Sequence, residues 1–104
     1  NKYHSNSIRL VHLKVITMIK KQELRHDEIM GNMKINSYDS STLDSSIYFI
    51  DRQVLMMTFK SGTTYEYKDV DHQTYSEFIT AESHGSAFNK LIKTKFTAKK
   101  IENE

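Results

Sequence analysis

The residues best suited to bind an anion lie in one short stretch near the end of the chain: Ser83, His84, Gly85, Ser86, Asn89, Lys90 and Lys93. The stretch is predicted to open a helix, where free backbone N–H groups and the positive end of the helix dipole favour a phosphate. Gly85 permits close approach, and Lys90 and Lys93 add positive charge on the following turns. In the alternative interpretation the serines only cap the helix, Gly85 forms its corner and Asn89 holds the adjoining loop.

A second candidate is the pair Tyr65 and Tyr67, because paired aromatic side chains on a sheet stack bases in several RNA-binding modules. The preceding turn argues for a different role. A type I turn with Gly62 in the left-handed bulge position is the least strained geometry there. Its register pairs the two tyrosines with Met57 and Leu55, on a face that helices would cover. Core packing is therefore favoured over an exposed stacking platform, and also over a catalytic tyrosine.

No combination of residues points to catalysis, a metal or a cofactor. The histidines never occur at the spacing of a metal-binding pair with an acid nearby: His4, His12, His26, His72 and His84. The chain has no cysteine, which excludes thiol nucleophiles, disulfides and cysteine-bound zinc. Serine, histidine and aspartate are present without a nucleophile elbow or a glycine-rich loop. We therefore expect a non-enzymatic protein without catalytic residues, metal or cofactor.

The elements that position these residues follow in a simple order. Three strands are predicted at residues 47–50, 54–59 and 63–68, because apolar or Thr- and Tyr-rich runs alternate with polar turns. A helix opening at Asp69 or Asp71 and a second helix after residue 86 follow. The residues at the spacing of their inward faces are Tyr75, Phe78 and Ile79, then Phe88, Leu91 and Ile92, with Phe96 just beyond. This order predicts an α+β fold, a three-stranded antiparallel meander followed by two helices packed on one face.

The first part of the chain is less determined. Residues 1–40 are interpreted as an N-terminal extension, residues 41–101 as the domain and residues 102–104 as a tail. Ser7 could cap a helix that ends at Gly31. The alternation around Leu13 fits a strand as well. Because Met33 could serve as a native start, the residues before it could be leader sequence, and we expect them to contribute little stability.

Length and charge set the class of protein. A chain of 104 residues with no Pro and three Gly fits one small globular domain. Its formal net charge of +2 is nearly neutral, but residues 84–101 include five lysines and no acidic residue: Lys90, Lys93, Lys95, Lys99 and Lys100. Such a run is either a solvated helix face or an anion-binding surface. The apolar stretch 8–19 is too polar and too short to cross a bilayer, so we expect a cytoplasmic protein without membrane association.

The ordered set of these features resembles the KTSC domain, a short family named after the C-terminus of some lysyl-tRNA synthetases and found also in stand-alone bacterial and phage proteins. The features that carry the resemblance are Ser45-Ser46, Phe59 with Ser61-Gly62, Tyr65-Glu66-Tyr67, Val70, Tyr75, and Ser83-X-Gly85-X-X-Phe88-Asn89-X-X-Ile92-Lys93. It covers roughly Leu43 to Ile101. One departure is Asp71, which stands where the family often has Pro and supplies a helix cap instead. The resemblance implies the fold above and, for function, only a conjecture of RNA binding.

Two functions of different classes are compatible with these residues. The favoured one is a non-catalytic module for RNA or another phosphate-bearing ligand, held by the start of the last helix and the lysines that follow. The rival is a protein-interaction domain, such as a phage or prophage inhibitor, that uses the open sheet face with Tyr48 and Met56. Salt separates them, because lysine–phosphate binding weakens steeply as salt rises and an apolar interface responds little.

Overall fold

The computed structural model describes residues 19–101, which form one antiparallel sheet and two helices. The six strands follow one another in chain order across the sheet. They are β1 (Ile19–Asp27), β2 (Gly31–Tyr38), β3 (Leu43–Phe49), β4 (Val54–Phe59), β5 (Thr64–Tyr67) and β6 (Ala98–Ile101). Between β5 and β6 lie α1 (His72–Ile79), α2 (His84–Phe88) and a π-helical turn (Asn89–Lys93) that continues α2. No helix in this described part of the chain is long and apolar enough to span a membrane.

The α+β class and the two helices are confirmed, but the predicted count of three strands is corrected to six. The predicted meander is present as β3, β4 and β5. Two further strands come from the region interpreted as an extension, where residues 19–38 form a hairpin that widens the sheet. The sixth strand uses the lysine-rich end of the chain. The helix proposed between Ser7 and Gly31 is wrong over residues 19–27, which form β1, and Gly31 begins β2. The earlier part of that helix, before residue 19, lies outside the described residues.

The turn between β4 and β5 has the predicted geometry. Gly62 has a φ of +95°, a conformation open to glycine because it lacks a Cβ. The backbone N–H of Phe59 donates to the carbonyl of Thr63 at 2.9 Å. The ladder then pairs Leu55 with Tyr67 and sets Met57 opposite the first tyrosine of the triplet. The predicted register is thus confirmed.

Both helices pack on the sheet face that carries Leu55, Met57 and Tyr67, and this layer is the core. From α1 the buried residues are Tyr75, Phe78 and Ile79, as predicted. From the second helical segment Phe88 and Ile92 are fully buried, while Leu91 and Phe96 are partly buried against them. Asp71 occupies the N-cap position of α1, but its side chain makes no capping hydrogen bond.

Polar side chains inside this core form hydrogen bonds across long sequence separations, while the buried Oδ1 of Asn36 has no hydrogen-bond partner in the structure. The Asn36 amide donates to the hydroxyl of Tyr75 at 2.6 Å, and the hydroxyls of Tyr38 and Ser46 lie 2.5 Å apart. Tyr48 is buried under α1, stacks on Tyr75 with ring centroids 4.0 Å apart, and donates its hydroxyl to the carbonyl of Val70. The expectation that Tyr48 lies on the open sheet face is therefore wrong.

Candidate functional site

A groove of about 700 Å³ lies between the β4–β5 hairpin and the end of the helical segment. This aromatic groove is lined by Ser41, Thr42, Phe59, Lys60, Ser61, Thr63, Tyr65, Tyr67, Lys93, Phe96 and Ala98. Its size is typical of sites that enclose a small ligand. Its lining combines an apolar floor with a few polar groups, which is the composition that such sites use.

The floor of the groove is held rigidly by ring contacts to the core. Phe88, buried under the helical segment, meets Phe59 edge-on with centroids 5.4 Å apart and Tyr67 at 5.5 Å. Tyr65 packs edge-on against Phe59 at 5.8 Å. Such edge-to-face arrangements are the preferred geometry of aromatic pairs, so the fold fixes the ring of Tyr65 in place.

The two tyrosines of the triplet differ in exposure. Tyr67 is only 3% exposed, which confirms its predicted place in the core. Burial raises the pKa of its phenol, because the charged form loses water. Tyr65 is half-buried: it packs against the core and also lines the groove. Part of its ring is therefore packed in the core, as predicted, and part faces the groove.

Lysines surround the open side of the groove. Lys60, at the hairpin turn, and Lys93, at the end of the π-helical turn, both line it and are exposed. The β5–β6 register sets Lys100 opposite Tyr65, so its side chain leaves the sheet on the same face. No carboxylate is among the described residues that line the groove. The local potential is therefore positive next to exposed aromatic carbon, a combination that suits an anionic ligand with a flat ring.

The predicted anion-binding residues divide between two places. Ser83, His84, Gly85, Ser86 and Asn89 come together in a second depression of about 570 Å³, here called the helix-start depression. The other described residues that line it are Asp39, Ser40, Ser41, Thr42 and Glu82. Lys93 lines the aromatic groove instead, and Lys90 lines neither of the two. The helix start thus faces two carboxylates, which repel a phosphate, and the lysines lie elsewhere.

The side chains of the helix-start depression have structural partners. The Ser83 hydroxyl accepts the backbone N–H of Ser86 at 3.4 Å and caps α2. His84 is 4% exposed, donates its Nε2 proton to the carbonyl of Ile79 at 3.0 Å, and lies between aromatic rings. A Cβ on Gly85 would lie 3.3 Å from Thr42 Oγ1, so this glycine allows α2 to approach the β2–β3 loop. These contacts match the alternative in which the motif is structural.

Three groove residues were not singled out as ligand-binding from the sequence: Phe59, Lys60 and Phe96. Only the predicted turn at residues 60–62 could have indicated from the sequence that Phe59 and Lys60 lie beside β5. The role of Lys100 depends on β6, which was not predicted. Among residues 19–101 no group of three or more histidine or acidic side chains could hold a metal ion.

The arrangement of residues can be compared with known proteins. The family model of the KTSC domain matches residues 39–96, more than half of the chain. The chain belongs to the KTSC domain family. The resemblance drawn from the Tyr-Glu-Tyr triplet and the Ser83–Lys93 motif is therefore confirmed.

Relatives and a solved structure agree with this assignment. A crystal structure of a KTSC domain protein from Yersinia pestis superimposes with a TM-score of 0.63 at 33% identity, covering 67% of this chain and 99% of that one. A protein of Tsukamurella paurometabola is 32% identical over 60 residues, 58% of this chain and 90% of its own length. An uncharacterised protein of Stutzerimonas stutzeri is 34% identical over 61 residues, 59% of this chain and 86% of its own length. The family match of residues 39–96 includes β3, β4, β5 and both helices, whereas β1, β2 and β6 lie outside it.

Proposed function

We propose that this KTSC domain is a small non-catalytic binding module for single-stranded RNA or another phosphate-bearing ligand, and that the ligand occupies the aromatic groove. A base stacks on the exposed part of Tyr65 and the neighbouring ring of Phe96, and phosphates lie against Lys60, Lys93 and Lys100. The observation that carries the proposal is the meeting of partly exposed aromatic rings with lysines in one groove without a carboxylate. Stacking tolerates any base, whereas lysines hold the backbone.

The proposal moves the ligand away from the start of the last helix. The carboxylates of Asp39 and Glu82 line the helix-start depression, and His84 is engaged by a backbone carbonyl. The groove instead gains Lys93 from a π-helical turn, a geometry that often occurs at functional sites. Electrostatics and available ring surface both favour the groove.

The helical segment offers a matched pair of lysines for the test. Lys90 and Lys93 are both exposed, lie three residues apart and differ in that only Lys93 lines the groove. Lys93→Glu and Lys90→Glu change the net charge equally, so a general charge effect cancels between them. We expect Lys93→Glu to weaken binding of a fluorescent single-stranded RNA about ten-fold or more, and Lys90→Glu to change it little.

Salt dependence measured on the same variants supplies a second readout. Contacts to two or three phosphates predict a slope of log K against log salt of about −1.5 to −2 for the wild type, because each contact contributes about −0.7. Lys93→Glu should reduce this slope by about 0.7, and Lys90→Glu should keep it. Equal losses in both variants would contradict the groove as the site. No RNA affinity of the wild type at low salt would contradict RNA as the ligand.

A further inference from the structure

The two edges of the sheet differ in length and in charge. At one edge β6 has four residues, of which Lys99 and Lys100 are lysines, and short strands that carry lysine resist pairing with a further strand. At the other edge β1 has nine residues and no proline. Within the described part of the chain, no strand pairs with the outer side of β1. This edge is therefore open to an added strand.

The ladder shows which backbone groups of β1 point outward. The N–H of Ile50 donates to the carbonyl of Asn32 at 3.0 Å, so the even-numbered residues of β2 direct their backbone groups towards β3. Successive residues of an antiparallel ladder alternate in direction, so the odd-numbered residues of β2 bond to β1, where their partners are odd-numbered too. The residues of β1 whose N–H and C=O groups point away from the sheet are therefore Gln22, Leu24 and His26.

The charges along β1 are complementary to the same strand in the reverse direction. Lys21 and Asp27 lie three residues to either side of Leu24, and Glu23 and Arg25 lie one residue to either side. An antiparallel copy centred on Leu24 therefore sets lysine opposite aspartate and glutamate opposite arginine. If the centre moves by one residue, Glu23 lies opposite Glu23 or Arg25 opposite Arg25, and like charges directly opposite each other destabilise a sheet.

The contacts that these side chains make within the chain leave them able to bind a partner. Asp27 accepts two backbone N–H groups of the following turn through Oδ1, which leaves Oδ2. Arg25 contacts both carboxylate oxygens of Glu23 at 3.1 Å through Nη2, so its Nε and Nη1 groups remain as donors. Lys21 is exposed and forms no ion pair among the described residues.

We propose that β1 pairs antiparallel with β1 of a second copy about a two-fold axis at Leu24, which joins the two sheets edge to edge. Backbone N–H and C=O groups are exchanged at Leu24, and between Gln22 and His26 of the partner. Leu24 is 70% exposed and contacts its counterpart across the axis, so apolar surface leaves the water. The charged pairs lie at the positions without backbone bonds, where opposing side chains are closest.

The dimer should be weak. A strand edge buries less than the roughly 800 Å² per partner of a stable complex, so we expect it to form between micromolar and millimolar concentration. Backbone hydrogen bonds and charge pairing give it its register. The aromatic groove is built from the opposite half of the sheet, so the proposal is independent of RNA binding.

Single cysteines test the register, because the chain has no cysteine of its own. Leu24→Cys places two thiols at the axis, where a Cα–Cα distance of about 5.5 Å suits a disulfide. Gln22→Cys is the matched control, since Gln22 is exposed on the same face of β1 but its two copies would lie about 14 Å apart. In air Leu24→Cys should form a linked dimer about ten-fold faster or more. Equal rates would overturn the proposed pairing.

Sedimentation equilibrium tests the dimer itself. The mean mass of the wild type should rise from 12.2 kDa towards twice that value as concentration increases. Lys21→Glu, opposite Asp27 of the partner, should raise the dissociation constant about five-fold or more, whereas Lys90→Glu makes the same charge change away from β1 and should leave it unaltered. A wild type that is monomeric at millimolar concentration, or equal effects of the two variants, would contradict the proposal.

Hydrogen exchange distinguishes a second copy from another segment of the same chain. The N–H groups of Leu24 and His26 should exchange rapidly in dilute protein and more slowly as the dimer forms. Equal protection at all concentrations would assign this edge to the chain's own residues and overturn the proposal. Rapid exchange at all concentrations would show that the edge stays unpaired, which overturns it as well.

Discussion

Two depressions flank the helical segment of this KTSC domain, and they differ in whether their side chains are already engaged in contacts within the fold. In the helix-start depression the polar groups already have partners: Ser83 caps α2 and the Nε2 proton of His84 goes to the carbonyl of Ile79. In the aromatic groove the lysines are exposed and the ring of Tyr65 is half-buried. Polar residues close together in sequence thus make structural contacts, while residues distant in sequence form the proposed ligand site. The comparison shows that a candidate site is better recognised from exposed charged groups and exposed ring surface than from residue type alone.

The largest expected effect separates the core tyrosine from the groove tyrosine. Tyr67→Ala should destabilise the domain by about 3 kcal/mol or more, because it leaves a cavity beside Phe88. Tyr65→Ala should cost only about 1 to 2 kcal/mol, since its ring is partly exposed. Urea denaturation measures both. Equal losses in the free energy of unfolding would show that the two tyrosines contribute equally to core packing.

Tyr65, which contributes less to stability than Tyr67, should contribute more to ligand affinity. Tyr65→Leu keeps apolar packing against Phe59 but removes the flat ring, so it should weaken RNA binding by about 1 to 3 kcal/mol. Thr64→Val on the neighbouring position provides the control, because that side chain lies on the opposite face. Fluorescence anisotropy at fixed salt measures the change. Unaltered affinity of Tyr65→Leu would remove stacking from the proposed mode of binding.

Alkaline pH should loosen the core. Burial raises the pKa of Tyr48 to about 12 and that of Tyr75 to about 12. An exposed tyrosine in the unfolded chain ionises near pH 10, so the unfolded state loses its proton first. Stability is therefore full below about pH 10 and declines as pH rises towards about 12. Thermal melting across this range should show the decline, and it should be shallower in Tyr48→Phe. A melting temperature constant to pH 12 would contradict the burial of these phenols.

The smallest effect is expected at the helix-start depression. Ser83→Ala removes the cap of α2 and should cost about 1 kcal/mol of stability. RNA affinity should stay unchanged, because the residue has no place in the groove. Ser86→Ala serves as the control, since Ser86 is exposed and contributes its backbone N–H to the cap. A fall in affinity in Ser83→Ala without loss of stability would return the helix start to consideration as the phosphate site.

The sequence predicts the β3–β5 meander and both helices because their signals are local. Apolar runs, the turn at Gly62 and the spacing of Tyr75, Phe78 and Ile79 can each be interpreted within a few residues. The strands β2 and β6 have no such signal. β2 carries Asn36, whose burial is made possible by a hydroxyl 39 residues away. β6 is four residues long and contains two lysines, a composition common in edge strands and equally common in solvated tails.

The site was only partly predictable for the same reason. Lys93 and Tyr65 were both named from the sequence, but their proximity depends on the π-helical turn and on how the hairpin folds against it. Lys100 reaches Tyr65 only through the pairing of β6 with β5. The role of Gly85 was ambiguous, since close approach to a phosphate and close approach to Thr42 both require a small residue. Three-dimensional contacts were needed to choose between them.

The most direct test of the central claim is an NMR titration of the ¹⁵N-labelled protein with a short single-stranded RNA at low salt. The groove account predicts the largest amide shifts at Lys60, Tyr65, Lys93 and Phe96, with small changes at Ser83, Gly85 and Ser86. Addition of salt should reverse these shifts. Largest shifts at residues 83–89, or an unchanged spectrum at saturating RNA, would contradict it.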